Sequence, residues 1–201
     1  MDLEDLRLAV YEGCRRGRVP RISDLATELL ATREQVRSGL LTLGVARHLA
    51  LGSDGEITMA HQFTAVPLGF SVMGRDTLWW GGCAWDCVAV LAAGPGPMLV
   101  ATTCPACDRA HAWRVDDREP PGRQVAHFLV AAARMWDDVV YICSKQRIFC
   151  SEDCVAIWLN ESGHQRGSVL DLRTLWRLAA GWYAGRLEHV YVGREPSAAA
   201  D

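Results

Sequence analysis

A cysteine and an aspartate stand three residues apart in the segment 79–87, directly after two tryptophans and two glycines. If Cys83 begins a helix, Asp86 lies on the same helical face, with roughly 5–6 Å between the two Cβ atoms. That spacing lets the carboxylate exchange a proton with whatever the sulfur holds, and a helix N-terminus favours the thiolate form of a cysteine. A buried, unreactive cysteine followed by an aspartate in the first helical turn fits the same pattern. The motif alone therefore leaves both interpretations open.

Cysteine is unusually frequent, with eight in a chain of 201 residues. Three close pairs account for six of them, and the other two stand apart: Cys83 with Cys87, Cys104 with Cys107, Cys150 with Cys154, then Cys14 and Cys143. The acidic start of the sequence lacks the basic and apolar pattern of a signal peptide, so we expect a cytoplasmic protein. Because disulfides are rare in that compartment, the cysteines indicate metal binding or thiol chemistry.

A four-sulfur metal site is one interpretation of the later cysteines. Cys104 and Cys107 have the spacing of a zinc knuckle in a hairpin tip, and Cys150 and Cys154 lie at the start of a predicted helix. Four thiolates in a tetrahedron are a typical structural zinc site, and thiolates also bind copper. This interpretation leaves Cys83 and Asp86 unexplained.

Composition excludes several other functions. The net charge is −3 and half of the residues are hydrophobic, so a sizeable core is expected and nothing indicates a polyanionic partner. No apolar run reaches the roughly 18–20 residues needed to cross a bilayer, and we therefore expect no membrane contact.

Residues 1–60 are predicted to form a winged helix-turn-helix module. Three amphipathic segments, about 4–17, 24–30 and 33–43, indicate helices, with Ser23 and Thr32 as the N-caps of the second and third. A turn at 52–55 between two short apolar segments indicates a hairpin, the wing. DNA binding would use Arg33 and Arg37, but residues 1–48 hold eight arginines against seven acids, so no basic face dominates. We expect a structural or substrate-covering role and no DNA partner.

Residues 61–201 are predicted to form an α+β domain with a mixed or antiparallel sheet. Strands are expected at 70–72, 98–103, 111–115, 127–130 and 139–143, the last as a buried central strand. Helices are expected after Cys83 as far as residue 93, from 152 to about 160 with Ser151 as N-cap, and from 168 to 187. A turn is expected at 136–138.

The order of these landmarks resembles that of the organomercurial lyases, the alkylmercury lyase or MerB family. The resemblance rests on Cys83 to Asp86 after a tryptophan pair, on Thr102-Thr103-Cys104 at a strand end, and on Phe149-Cys150 at a junction between a strand and a helix. The segment from His61 to Pro67 and the helical N-terminal region are also similar, although Gln62 stands where a proline is expected. The resemblance therefore extends over nearly the whole chain.

By this resemblance, Cys83, Asp86 and Cys150 are the catalytic and mercury-binding residues, and Cys104 has a structural role. Mercury prefers thiolate sulfur, so two converging cysteines can capture an organomercurial cation. The carbon must be protonated as the Hg–C bond breaks, and Asp86 is the candidate for taking a proton from a thiol and returning it to carbon. Loss of any of the three is expected to abolish turnover.

The implied activity is cleavage of a carbon–mercury bond to a hydrocarbon and Hg(II), as in mercuric resistance. No cofactor is required, and the product would pass to small thiols or to a mercuric reductase. Two alternatives stay open: a non-catalytic zinc- or copper-binding protein or metal sensor that uses the four later cysteines, and a lyase relative adapted to a substrate without mercury. The four-sulfur alternative places Cys150 in the set Cys104, Cys107, Cys150 and Cys154.

Overall fold

The computed structural model describes residues 1–88, 96–116, 120, 122–130, 138–186 and 188. Within them the helices are α1 (Leu3–Arg15), α2 (Ile22–Glu28), α3 (Arg33–Val45), α4 (Ala84–Val88), α5 (Val139–Lys145), α6 (Glu152–Ser162) and α7 (Leu172–Tyr183). The strands are β1 (Ala50–Leu51), β2 (Ile57–Ala60), β3 (Phe63–Thr64), β4 (Phe70–Met73), β5 (Leu78–Gly81), β6 (Met98–Thr103), β7 (Ala110–Val115), β8 (Val125–Phe128), β9 (Arg147–Phe149) and β10 (Ser168–Asp171). The α+β class is as predicted. Among the described residues, no helix combines the length and apolar character that a membrane span requires.

The first three helices pack around one apolar cluster. Thr32 caps α3 as predicted: its hydroxyl oxygen accepts a hydrogen bond from the Gln35 N–H at 3.1 Å, and the Gln35 side chain accepts one from the Thr32 N–H at 2.9 Å. The two bonds satisfy backbone donors that a helix start otherwise leaves unpaired. The buried cluster includes Leu6, Val10, Leu25, Val36, Leu40 and Leu43.

The second helix begins earlier than predicted. Ser23 lies inside α2, so its assignment as N-cap is wrong, and Arg21 occupies the cap position. The Asp24 carboxylate accepts a hydrogen bond from the Arg21 N–H at 3.2 Å, so a side chain inside the first turn pairs the backbone donor of the cap residue. An aspartate in the first turn also suits the positive end of the helix.

A seven-stranded antiparallel sheet runs through most of the molecule, in the order β1-β2-β3-β5-β4-β6-β7. The predicted hairpin of β1 and β2 is confirmed, with Ala50 paired to Met59. β2 also pairs with β3, so the predicted domain boundary at residue 60 falls between two neighbouring strands of one sheet. The division of the chain into two domains stays a prediction.

Trp79 on β5 connects the two largest buried clusters. Its ring packs against the N-terminal helical cluster and against the core between the sheet and α7. The indole N–H donates a hydrogen bond to the Cys14 carbonyl at 2.8 Å, so the polar edge of the ring is paired. The tryptophan thereby fixes the N-terminal helices against the strand that leads to Cys83.

A second, three-stranded antiparallel sheet has the order β10-β8-β9. The predicted helix over 168–187 is confirmed for α7, but residues 168–171 form β10 and pair with β8. α7 packs on the core through Leu172, Leu175, Ala179 and Tyr183. This face brings the end of α7 close to α4.

The prediction of a central strand over 139–143 is wrong, since these residues form most of α5. Two adjacent valines favour a strand locally, but the buried residues Val139, Ile142 and Cys143 follow helical spacing. The Asp138 carboxylate caps the helix by accepting from the Tyr141 N–H at 3.0 Å. The helix presents Cys143 to the interior.

Two predicted features lie outside the described residues. They are the continuation of α4 over residues 89–93 and the turn at residues 136 and 137.

Candidate active site

Two thiols and one carboxylate meet in the interior. Cys83 lies just before α4, Asp86 lies in its first turn and Cys143 lies on α5. One ligand atom from each, the two Sγ atoms and a carboxylate oxygen, all lie within 4.8 Å of one another. Exposed fractions of 0% for both cysteines and 1% for Asp86 show that the group is shielded from water. Such a set can hold a soft metal ion beside a proton-carrying group.

The Asp86 carboxylate is held by hydrogen bonds at both oxygens. Oδ2 accepts from the Cys83 backbone N–H at 2.9 Å, and the Cys87 N–H donates to the Cys83 carbonyl at 3.0 Å, so Cys83 is the residue directly before the first residue of α4. Oδ1 accepts from the Tyr183 hydroxyl at the end of α7. The two bonds fix the direction of the carboxylate relative to the sulfur.

Gly82 leaves the space that the carboxylate occupies. A Cβ atom at this position would lie 2.0 Å from Asp86 Oδ2 and 2.7 Å from its Cγ. Any side chain would therefore displace the carboxylate from the Cys83 N–H. The glycine before Cys83 in the sequence has a direct role in the geometry of the site.

Both site cysteines are held as thiols at neutral pH. Burial, helped by the neighbouring Cys143 and Asp86, raises the pKa of Cys83 well above its ordinary value. A hydrogen bond from Cys83 lowers the pKa of Cys143, but burial and the Asp86 charge outweigh it and the net shift is upward. The expectation that the helix N-terminus makes Cys83 a ready thiolate is therefore wrong, since burial is the larger effect.

Two arginines, Arg7 on α1 and Arg186 after α7, connect the N-terminal helices to Tyr183. Arg7 on α1 donates hydrogen bonds to the carbonyls of Arg186 and, at 2.7 Å, of Glu188. The Arg186 guanidinium lies 5.2 Å from the ring centre of Tyr183 and 5.8 Å from that of Tyr11. Burial raises the pKa of Tyr183 well above its usual value, so its hydroxyl stays protonated and donates to Asp86. α1 thus helps to fix the end of α7 that carries this donor.

Cys150 is not in the group of ligand atoms that contains Cys83 and Asp86. The predicted convergence of these three residues is absent, and Cys143 stands in the place expected for Cys150. Cys150 follows β9 and lies in a second group, in which the four sulfurs are all within 4.8 Å of one another. That group is the alternative metal set of the sequence analysis: Cys104, Cys107, Cys150 and Cys154.

Two contributors to the first site, Cys143 and Tyr183, are not among the residues that the sequence predicted. Cys143 had no assigned role, because the surrounding segment was interpreted as a strand and no local motif marks it. Tyr183 is one of several aromatics in a helical tail, and only the packing of α7 against α4 reveals its contact. A signal for Cys143 did exist in its helical spacing from Val139, which places both on one buried face.

The fold and the buried thiol and carboxylate group define an α+β protein with a cysteine site suited to a soft metal. Residues 63–184 match the family model of the alkylmercury lyases, MerB. The match covers more than half of the chain, which therefore belongs to the alkylmercury lyase family.

The fold is also similar to that in the crystal structure of the mercury-bound form of MerB2. The TM-score is 0.70 at 12% sequence identity, with 92% of this chain and 91% of the other covered. At this identity the likeness concerns the fold. The chain has no significant match among curated proteins.

Thiol reactivity tests the protonation state of the site. At pH 7, alkylation of Cys83 and Cys143 by iodoacetamide should be at least about tenfold slower in the folded protein than in urea, because burial limits access and each unit of upward pKa shift lowers the thiolate fraction tenfold. Peptide mass spectrometry at timed intervals gives the rate for each cysteine. Equal rates for Cys83 in the folded and unfolded chains would contradict the assigned protonation state.

Proposed function

We propose that this protein cleaves carbon–mercury bonds by protonolysis, with Cys83 and Cys143 as mercury ligands and Asp86 as proton carrier. The observation that carries the proposal is the group of two buried thiols and one carboxylate within 4.8 Å, in a chain of the alkylmercury lyase family. The sequence implied the same reaction with a different second cysteine.

Capture of the substrate relies on the softness of mercury. Thiolate sulfur binds soft metal ions in preference to oxygen or nitrogen ligands, and two sulfurs within reach of one ion hold it more firmly than one. The absence of exposed surface at Cys83 and Cys143 keeps competing water away from the bound ion. It also means that the surrounding side chains must move to admit the substrate.

Proton transfer links capture to cleavage. Formation of an S–Hg bond releases the thiol proton, and the adjacent Asp86 carboxylate accepts it. As the second sulfur binds, electron density on mercury rises and the Hg–C bond weakens. The protonated Asp86 then delivers its proton to the departing carbon, and the electron pair of the Hg–C bond forms the new C–H bond.

The proton balance of this scheme is complete. R–Hg⁺ and two thiols give R–H, a mercury ion bound by two thiolates, and one proton that leaves to solvent. The raised pKa values of Cys83 and Cys143 support the scheme, because both protons are present until mercury displaces them. The hydrogen bonds to Asp86 from the Cys83 backbone and the Tyr183 hydroxyl hold the carboxylate beside the Cys83 sulfur, from which it would accept the proton.

The second thiolate is assigned to Cys143, in place of Cys150, because Cys143 is in the same group of ligand atoms as Cys83. Small thiols or a mercuric reductase would receive the Hg(II) product, in the reducing cytoplasm expected from the sequence. No resident cofactor is needed for the proton and sulfur chemistry described. A DNA partner is not part of the proposal.

Replacement of Cys143 is the sharpest test of the assignment. Cys143→Ser should lower the release of benzene from phenylmercury to the uncatalysed background, because one sulfur cannot complete the two-thiolate complex. Asp86→Asn should lower it by at least about a hundredfold, the usual contribution of a positioned acid or base. Headspace gas chromatography measures the benzene.

Two cysteine variants serve as controls for that experiment. Cys14→Ser changes a buried thiol in the N-terminal cluster, and Cys150→Ser changes the residue that the sequence favoured. Both should retain turnover in preparations whose far-UV circular dichroism matches that of the unmodified protein. Loss of turnover in folded Cys150→Ser together with full activity of Cys143→Ser would overturn the assignment.

A methyl group at residue 82 tests whether the position of the Asp86 carboxylate matters for turnover, apart from its effect on the stability of the fold. Gly82→Ala places a Cβ atom at the position of the Asp86 carboxylate, so we expect loss of turnover by about a hundredfold, as for Asp86→Asn. Gly44→Ala is a control inside α3, where a Cβ atom would make only ordinary contacts with Leu49 at 3.9 Å. Steady-state benzene release and a urea unfolding curve are measured for both. Full turnover in Gly82→Ala would show that the carboxylate position is unimportant.

A further inference from the structure

A second cysteine cluster is separate from the proposed catalytic group and lies where β6 of the large sheet contacts β9 of the small sheet. Cys104 and Cys107 are in the turn between β6 and β7 of the large sheet, whereas Cys150 follows β9 of the small sheet and Cys154 lies in the first turn of α6. The sulfurs therefore come from two hairpin-tip residues and from two residues at a junction between a strand and a helix. The proposed reaction makes no use of them.

The sulfur positions fit one tetrahedral ion. All four Sγ atoms lie within 4.8 Å of one another, and those of Cys107 and Cys150 are 3.5 Å apart. Zinc bound to four thiolates at about 2.3 Å requires sulfur pairs separated by about 3.8 Å. A disulfide requires about 2.05 Å, and all four cysteines are free thiols. Small side-chain rotations would bring the four sulfurs to the tetrahedral spacing.

The turn around Cys104 has the hydrogen bonds that stabilise a thiolate ligand. Its Sγ accepts backbone N–H bonds from Cys150, Ala106 and Cys107. The turn itself is closed by the Cys104 N–H bond to the Arg109 carbonyl at 2.9 Å and by the Asp108 N–H bond to the Cys104 carbonyl at 3.0 Å. The backbone thus presents donors to a buried sulfur before any metal is bound.

A histidine, His111, contacts one sulfur of the cluster. His111 on β7 places its Nε2 atom 3.5 Å from the Cys150 sulfur, and the side-chain nitrogen of Gln124 lies 3.4 Å from His111 Nδ1. With the amide nitrogen as the donor to Nδ1, His111 is in the tautomer whose Nε2–H can donate to the sulfur. Hydrogen bonds of this kind orient metal ligands and tune their charge.

We infer that Cys104, Cys107, Cys150 and Cys154 bind one structural zinc ion. Two ligands separated by two residues and two separated by three fall within the usual spacing of closed zinc sites. The ion links the β6–β7 turn to the start of α6 and so holds the large sheet against the small one. Catalysis uses the other group, so zinc content and turnover are independent properties.

Metal analysis of the full-length protein tests this inference directly. Protein purified without chelator from zinc-supplemented cells should contain about one zinc per chain by inductively coupled plasma mass spectrometry. The double variant Cys107→Ser, Cys154→Ser should lose it, while Cys83→Ser, Cys143→Ser should keep it. Removal of zinc with a chelator should lower the melting temperature of the unmodified protein, and added zinc should restore it.

A spectroscopic measurement covers the case in which the double variant does not fold. Cobalt(II) added to the chelated, unmodified chain should give the intense visible bands of a tetrahedral tetrathiolate complex, and zinc should abolish them. Three results would overturn the inference: no bound metal, copper or iron in place of zinc, or a disulfide within the cluster by intact mass. Zinc that is lost from the Cys83, Cys143 variant and kept by the Cys107, Cys154 variant would also overturn it.

Discussion

The direction of one carboxylate governs the candidate active site. Asp86 accepts a hydrogen bond from the backbone of Cys83 and another from the Tyr183 hydroxyl, and Gly82 leaves the space in which it sits. These contacts join the strand that ends at Gly81, the helix that follows and the last turn of α7. Because the group is buried, an unpaired carboxylate there would be costly, so the surrounding structure must supply its partners. Arg7 donates a hydrogen bond to the Arg186 carbonyl just after α7, so the N-terminal helices also help to hold the Tyr183 hydroxyl beside the carboxylate.

Burial divides the cysteines into two kinds of site. Cys83 and Cys143 share a dry interior with Asp86, where the thiols stay protonated, as the proposed proton transfer requires. The second group is partly open to solvent, with Cys107 exposed and Cys104 receiving several backbone N–H bonds. The first environment therefore suits proton transfer, whereas the second, with four sulfurs within 4.8 Å of one another, suits a bound cation.

Local patterns in the sequence predicted a large part of this arrangement. The spacing of Cys83 and Asp86, the cap at Thr32 and the grouping of the four later cysteines were recognised because each depends on neighbours within a few residues. The partner of Cys83 was misassigned because it depends on how α5 packs against α4. Val139 and Val140 favour a strand by propensity, whereas burial of one helical face and the Asp138 cap favour the helix that is observed. Tyr183 depends on a contact across 97 residues of sequence, and no local signal announces it.

The central claim is that one mercury ion is bound by Cys83 and Cys143 beside Asp86. Crystals of the zinc-loaded protein treated with one equivalent of phenylmercury, with anomalous data collected at the mercury absorption edge, test it most directly. We predict one strong mercury peak bonded to the sulfurs of Cys83 and Cys143. A mercury peak at the second cysteine group alone, with both of these thiols unmodified, would contradict it.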